Sequence, residues 1–120
     1  ILFALAWPNR VQSPIKRLDL SALGALTFAA PEVEQFPCLG YAREAAAAGG
    51  TAPAILNAAN EVAVAAFCRR RIPFLGISEV VRRTREACPP SRAHDLEQVL
   101  QADQTARHAA EKIVKSLGFA

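Results

Sequence analysis

Ala54-Ile55-Leu56-Asn57-Ala58-Ala59-Asn60-Glu61-Val62-Ala63-Val64-Ala65-Ala66-Phe67 reads as an α-helix that is apolar nearly all round, with two asparagines and a glutamate set within it. On a helical wheel Ile55, Leu56, Ala59, Val62, Ala63, Ala66 and Phe67 cover a face of about 140°, wider than the stripe of a surface helix. A helix of that kind has neighbours on most sides, so this segment is the centre of a helical packing unit. Asn60 falls between Leu56 and Val64, which predicts an amide held out of bulk water and in need of hydrogen-bond partners. Asn57, Asn60 and Glu61 are three and four residues apart and therefore share one side of the helix. They form the one polar constellation with a definite shape. It would serve either to orient a loop or ligand or, as we prefer, to tie the central helix to backbone groups of the preceding segment. An unpaired buried amide costs about 1–3 kcal/mol, which favours closing such a network.

Outward from that helix the signals are those of helix, turn and helix, with connections short enough for antiparallel neighbours. Pro37 suits a first helical turn, Leu39, Ala42 and Ala46 make a stripe, and Gly49-Gly50 supplies the stop, so the first bundle helix is expected over 37–48. Thr51 and Pro53 open the central helix. It runs to about Arg70, where Arg69-Arg70-Arg71 complement the negative end of the helix dipole. After Pro73, Gly76 and Glu79 form half a capping box and Leu75 is placed to staple onto Val80. The third helix is expected over 77–88 with Ile77, Val80, Val81 and Thr84 inward, and Pro89-Pro90 ends it. From Asp95 a short helix carries Leu96, Val99 and Leu100, and Asp103 offers a fresh cap for a last helix. In that helix Ala106, Ala109, Ala110, Ile113, Val114 and Leu117 face inward, Arg107, His108, Glu111, Lys112 and Lys115 take the opposite face, and Gly118 is the C-terminal glycine.

Before Pro37 the pattern is broken by Pro8, Pro14 and Pro31, each of which removes a backbone donor and biases its predecessor away from helix. Asp19 is placed to cap one turn over Leu20–Leu23. Leu26-Thr27-Phe28-Ala29-Ala30 then reads as a strand ended by Pro31. A single strand needs a partner, and the rest of the chain is helical, so the partner is expected in other sequence or another molecule. The fold class expected is mainly α, a bundle of four to five helices preceded by a proline-rich linker with one orphan β-strand.

The chain has 120 residues, enough for one core and too few for two full domains. It contains no methionine and begins at Ile1, which reads as a processed chain or a fragment. The apolar opening Ile1–Trp7 is stopped by Pro8 and Arg10 and lacks a basic leader, unlike a signal peptide or a membrane span. Fourteen basic residues are spread among eleven acidic ones for a net charge of +3, which permits nucleic acid without indicating it. Cys38, Cys68 and Cys88 are widely spaced, without a Cys-x-x-Cys pair or a histidine at ligand spacing. That pattern disfavours zinc and suits a reducing cytoplasm.

No activated nucleophile with its base and no glycine-rich turn between strand and helix is found. Gly49-Gly50 follows a helix and lacks a third spaced glycine, and Glu32 and Glu34 read as a solvated pair. His94 and His108 read as surface residues. Arg82, Arg83 and Arg85, with the Arg69–Arg71 run, are the one arrangement suited to phosphate. They leave open a second reading, a free-standing helical adaptor or a nucleic-acid-binding module, although the loop between the two helices holds Pro73 and a Phe74-Leu75 pair that reads as core packing.

Ala6-Trp7-Pro8-Asn9-Arg10, Leu18-Asp19, Leu26-Thr27-Phe28-Ala29-Ala30-Pro31, Phe36-Pro37-Cys38-Leu39 and the block from Ile55 to Phe67 follow one another in the order and spacing of a known family. The chain resembles, over nearly its whole length, the carboxy-terminal part of 1-deoxy-D-xylulose 5-phosphate reductoisomerase. The Leu56-Asn57-Ala58-Ala59-Asn60-Glu61 block is the most specific piece. Ile1-Leu2-Phe3 departs from the family pattern as a more apolar lead.

The resemblance implies an enzyme of the non-mevalonate route to isoprenoid precursors that isomerises its sugar phosphate and reduces the product with NADPH and a magnesium or manganese ion. It implies that the cofactor-binding and catalytic domains lie outside this sequence, so no catalytic, cofactor-binding or metal-binding residue is carried onto it. On that basis residues 1–36 are a linker and a strand belonging to the missing catalytic domain, and 37–120 are a helical bundle that braces it. The partners implied are those missing domains and, for the full-length enzyme, a second copy in a homodimer. A membrane is not implied, and the 120 residues alone are expected to be inactive.

Overall fold

The structure, a computed structural model, describes residues 1–117 and divides the chain into two compact units, Ile1–Ala30 and Pro31–Ala120. In the first unit the only helix is the single turn α1, Leu2–Leu5. The Phe3 ring meets Trp7 edge-on with centroids 5.4 Å apart, and the Arg10 guanidinium lies over Phe3 at 4.5 Å. The Trp7–Pro8 peptide is cis. Asp19 organises a turn rather than a helix. Its carboxylate accepts from the Ser21 amide (3.0 Å) and hydroxyl (2.6 Å), and its carbonyl accepts from Ala22 N–H (3.2 Å). These bonds hold the Asp19 carboxyl below its ordinary range, the Ser21 hydroxyl contributing most.

Leu26–Ala30, expected as a strand, is not one: the described residues include five helices and no strand, and Phe28 is 90% exposed. The reason is physical, since a strand is a paired structure and propensity alone does not form a ladder.

The second unit consists of α2 (Cys38–Ala48), α3 (Ala52–Cys68), α4 (Gly76–Ala87) and α5 (Leu96–Leu117). The long apolar segment in α3 is the hub and packs against α5, α4 and α2. Ala58, Ala59 and Ala63 of α3 and Ala106 and Ala110 of α5 are buried without exposure, and such small side chains let helix backbones approach closely. Around Ala63, Ala66 and Ala110 the bulk of the core comes from Ile72, Val80 and Val114. Ile55, Ala58, Cys88 and Ala106 form a second cluster. As expected, Val80, Val81 and Thr84 of α4 are buried and Ile77 is half-buried. Burial pushes the Cys88 thiol up.

The connections are specific. Gly49 ends α2 at φ 66°, its N–H donating to Ala45 O (3.1 Å). Gly50, at φ 55°, brings its Cα so near the next turn that a Cβ would stand 2.2 Å from the Ser91 carbonyl oxygen. That approach allows a clasp. Thr51 N–H donates to Ser91 O, Ser91 N–H donates to Thr51 Oγ1 (both 2.9 Å), and the buried Thr51 hydroxyl donates back to Ser91 O (3.3 Å). At the end of α3, Arg70 N–H reaches Phe67 O (2.8 Å) and Arg71 N–H reaches Ala66 O (2.9 Å), with Arg70 at φ 58°. This is a Schellman ending with arginine where glycine is usual.

Three expectations for the bundle are corrected. The helix break at Asp103 does not occur, and α5 is continuous from Leu96. Asp103 receives Arg107 Nε at 2.7 Å, one turn along the helix, instead of capping a new N-terminus. The start at Asp95 is real: Asp95 Oδ1 accepts from Gln98 N–H (2.9 Å), and Gln98 Oε1 accepts from His94 N–H (3.0 Å). Second, Leu75 does not staple onto buried Val80, and the Phe74-Leu75 pair is not core. They are 56% and 63% exposed, in that order, and Glu79 is taken by arginines rather than completing a cap. Third, Asn60 is exposed rather than held out of water, because the α3 stripe buries Ala59 and Ala63 and turns Asn60 outward. Gly118 lies outside the described residues.

Candidate functional site

Glu61 joins α3 to α5. Asn57 Nδ2 donates to Glu61 Oε1 (3.0 Å), and Arg107 donates to Glu61 Oε2 (2.7 Å) while its Nε holds Asp103 (2.7 Å). Hydrogen bonds from Arg107, then from Asn57, lower the Glu61 carboxyl, and its two carboxylate partners raise the Arg107 guanidinium. The predicted constellation is therefore brought together in part. Asn57 and Glu61 are bonded to each other, while the Asn60 amide has no hydrogen bond among the described residues. Arg107, assigned from the sequence to the solvent face, is the residue that reasoning missed. Its spacing of four from Asp103 was the available signal.

Around these residues lie two hollows of opposite character. One, of about 410 Å³, lies between α3 and α5 and is lined by Glu61, Arg69, Arg71, Arg107, Glu111 and Lys115 among others. The other, of about 320 Å³, lies where the start of α2, the middle of α3 and the start of α4 meet, with Phe36, Leu39, Asn60, Phe74 and Leu75 on its wall. An adjoining hollow shares Cys38 and Asn60 and continues to Pro53 and Val81. None of the residues lining these last two is charged. Partial burial pushes the Cys38 thiol up.

The other candidate groups do not converge. His94 and His108 are exposed, and among the described residues no group of three His, Cys, Asp or Glu is placed to hold a metal ion. Three more acidic groups are engaged by arginine: Glu79 by Arg82 (2.8 Å) and Arg83 (2.5 Å), Glu86 by Arg82 (2.6 Å), Glu44 by Arg85 (2.7 Å). Arg85 also lies over the Tyr41 ring at 4.8 Å. The Arg82 and Arg83 bonds hold the Glu79 carboxyl down to about 2. All three α4 arginines are thus spent on carboxylates, leaving the Arg69–Arg71 run as the exposed cationic end of α3. The oxygens of Glu61, Glu79, Glu86 and Glu44 are thus bonded to guanidinium groups, while Arg69, Arg71 and Lys115 stand without an ion pair among the described residues on the wall of the charged hollow.

Comparison with known proteins gives one consistent result. The profile of the DXP reductoisomerase C-terminal domain matches residues 1–109. The 1-deoxy-D-xylulose 5-phosphate reductoisomerase of Methylococcus capsulatus is 50% identical over 117 residues, covering 98% of this chain and 30% of that protein. That of Dechloromonas aromatica is 46% identical over 120 residues, 100% of this chain and 30% of the relative. Among solved structures, the reductoisomerase from Zymomonas mobilis in complex with NADPH superposes with a TM-score of 0.85 at 41% identity, over 97% of this chain and 31% of that one. A DOX-P reductoisomerase in complex with magnesium gives a TM-score of 0.81 at 36% identity, over 98% and 32%. The chain thus spans about three-tenths of the length of the relatives it matches.

Proposed function

The chain belongs to the DXP reductoisomerase C-terminal domain family, and from that premise we propose that it is the bracing helical portion of a reductoisomerase. The enzyme converts 1-deoxy-D-xylulose 5-phosphate to 2-C-methyl-D-erythritol 4-phosphate in non-mevalonate isoprenoid biosynthesis. The observation that carries this reading is 50% identity along 98% of the chain against only 30% of the relative. NADPH and magnesium or manganese belong, in this reading, to the part of the enzyme outside these residues. Two related structures are described as complexes with NADPH and with magnesium, and the ion-paired carboxylates here fit neither ligand. The 120 residues do no chemistry alone. They contribute the packed α3 hub, tied to α5 by the Asn57–Glu61–Arg107 network, on which a catalytic region rests.

The same reading makes 1–36 a linker whose Leu26–Ala30 segment joins a sheet of the catalytic domain, and makes the whole enzyme a cytoplasmic homodimer. Among the described residues no helix is long and apolar enough to cross a membrane. The engagement of the α4 arginines by Glu79, Glu86 and Glu44 weighs against the nucleic-acid reading. A chimera in which this chain replaces the matching part of the Methylococcus capsulatus relative tests the proposal. It should oxidise NADPH in the presence of deoxyxylulose phosphate at a rate comparable to the intact relative. A folded but inactive chimera contradicts the proposal.

A further inference from the structure

The hollow of about 410 Å³ between α3 and α5 combines an apolar floor with a cationic rim. On the floor Ala66 and Val114 are buried and Val62 and Ala65 half-buried, so it presents alkyl groups. The rim comes from the end of α3 and the last turns of α5. Arg69, Arg71 and Lys115 reach it with no ion pair among the described residues, whereas the α4 arginines are all engaged by carboxylates. The acidic groups on the wall do not balance these charges. Glu61 is occupied by Arg107 and Asn57, which leaves Glu111 against three cations. The negative end of the α3 dipole, about half an elementary charge, is also too small to offset them. Cations converging on a cavity raise its potential, and guanidinium N–H groups donate in pairs to phosphate oxygens. The volume lies within the range of about 300–1,000 Å³ typical of small-molecule sites.

We propose that this hollow binds a small organic phosphate with an apolar body, the phosphate held by Arg69, Arg71 and Lys115 and the body laid on the floor between α3 and α5. The site goes beyond the bracing role and stands on this geometry alone. An inorganic anion uses only the rim, and a neutral apolar molecule leaves the cations to water. A ligand carrying both parts uses the whole hollow. The three cations are exposed and screened by salt, so binding is weak, with half-saturation at about 1 mM. A ligand that bridges the end of α3 to α5 in this way stabilises the fold by mass action.

Titration of the 120-residue chain with hexyl phosphate, inorganic phosphate and hexanol, followed by NMR of backbone amides and arginine side chains, tests this. Hexyl phosphate should shift the amides of 62–66, 69–71 and 111–115 saturably and bind about tenfold more tightly than inorganic phosphate. Hexanol should leave them in place. Arg71→Gln and Lys115→Gln, at exposed positions, should each weaken hexyl phosphate about threefold without moving the circular dichroism melt, and added salt should weaken it further. Glu111→Gln removes the opposing charge and should tighten binding about twofold. Binding that is indifferent to all three variants and to salt overturns the proposal, as does hexanol or inorganic phosphate binding as tightly as hexyl phosphate. Shifts centred on 74–78, in the other hollow, overturn it too. So does co-sedimentation with phosphatidic acid vesicles by a chain that ignores hexyl phosphate, since the ligand source is then a bilayer and not a free molecule.

Discussion

Two residues at helix ends show how much local geometry decides. Arg70 occupies the left-handed position of the Schellman ending of α3 at φ 58°, where an L-residue pays about 1–2 kcal/mol relative to glycine. Arg70→Gly is therefore expected to raise stability by about 1 kcal/mol, read from urea denaturation of the chain. Gly50 is the opposite case. Gly50→Ala puts a methyl group 2.2 Å from Ser91 O at a left-handed φ and loosens the Thr51–Ser91 clasp, so denaturation should show a loss of about 2 kcal/mol or more. A neutral Gly50→Ala variant would mean that the 88–95 loop moves freely away from the α2–α3 turn. The glycine pair was legible as a helix stop. Its second task was not, because a contact across forty residues of sequence leaves no local trace.

At the scale of elements, α2, α3 and α4 were legible to within about two residues, since their proline, glycine and apolar signals agree. The misreadings share a cause. Asp103 carries the same local signal as Asp95, but only Asp95 has a helical amide to satisfy, whereas Asp103 is followed at the right interval by Arg107. Leu26–Ala30 has strand propensity and no ladder, and Asn60 sits at the edge of a stripe whose exact rotation depends on neighbours absent from a wheel. The ion pairs along α4 yield a measurable consequence. The Glu79 carboxyl, held down to about 2 by Arg82 and Arg83, is ionised well below the ordinary glutamate value of 4.5. Its folded-state pKa is depressed, so its contribution to α4 is complete above about pH 4.5 and is lost as pH falls toward 2. Carboxyl-carbon NMR should place the Glu79 midpoint below that of an exposed glutamate, with high salt moving it upward. Titration at the ordinary value would show that the Arg82 and Arg83 bonds do not persist in solution.

For the whole molecule, the proposal makes the hub helix, pinned by small residues and tied to α5 through Glu61 and Arg107, a scaffold for an enzyme. The family was legible from the Leu56–Glu61 block and its distance from Trp7-Pro8-Asn9-Arg10. The faces of the bundle were not, because Phe74 and Leu75 look like core until the helices are assembled. The central claim is that these residues support an enzyme whose reacting groups lie elsewhere in its chain. Calorimetric titration of the purified 120-residue chain with NADPH, magnesium present, tests it most directly. The account predicts no saturable heat at micromolar nucleotide. A saturable isotherm in that range would place the cofactor on these helices and contradict it.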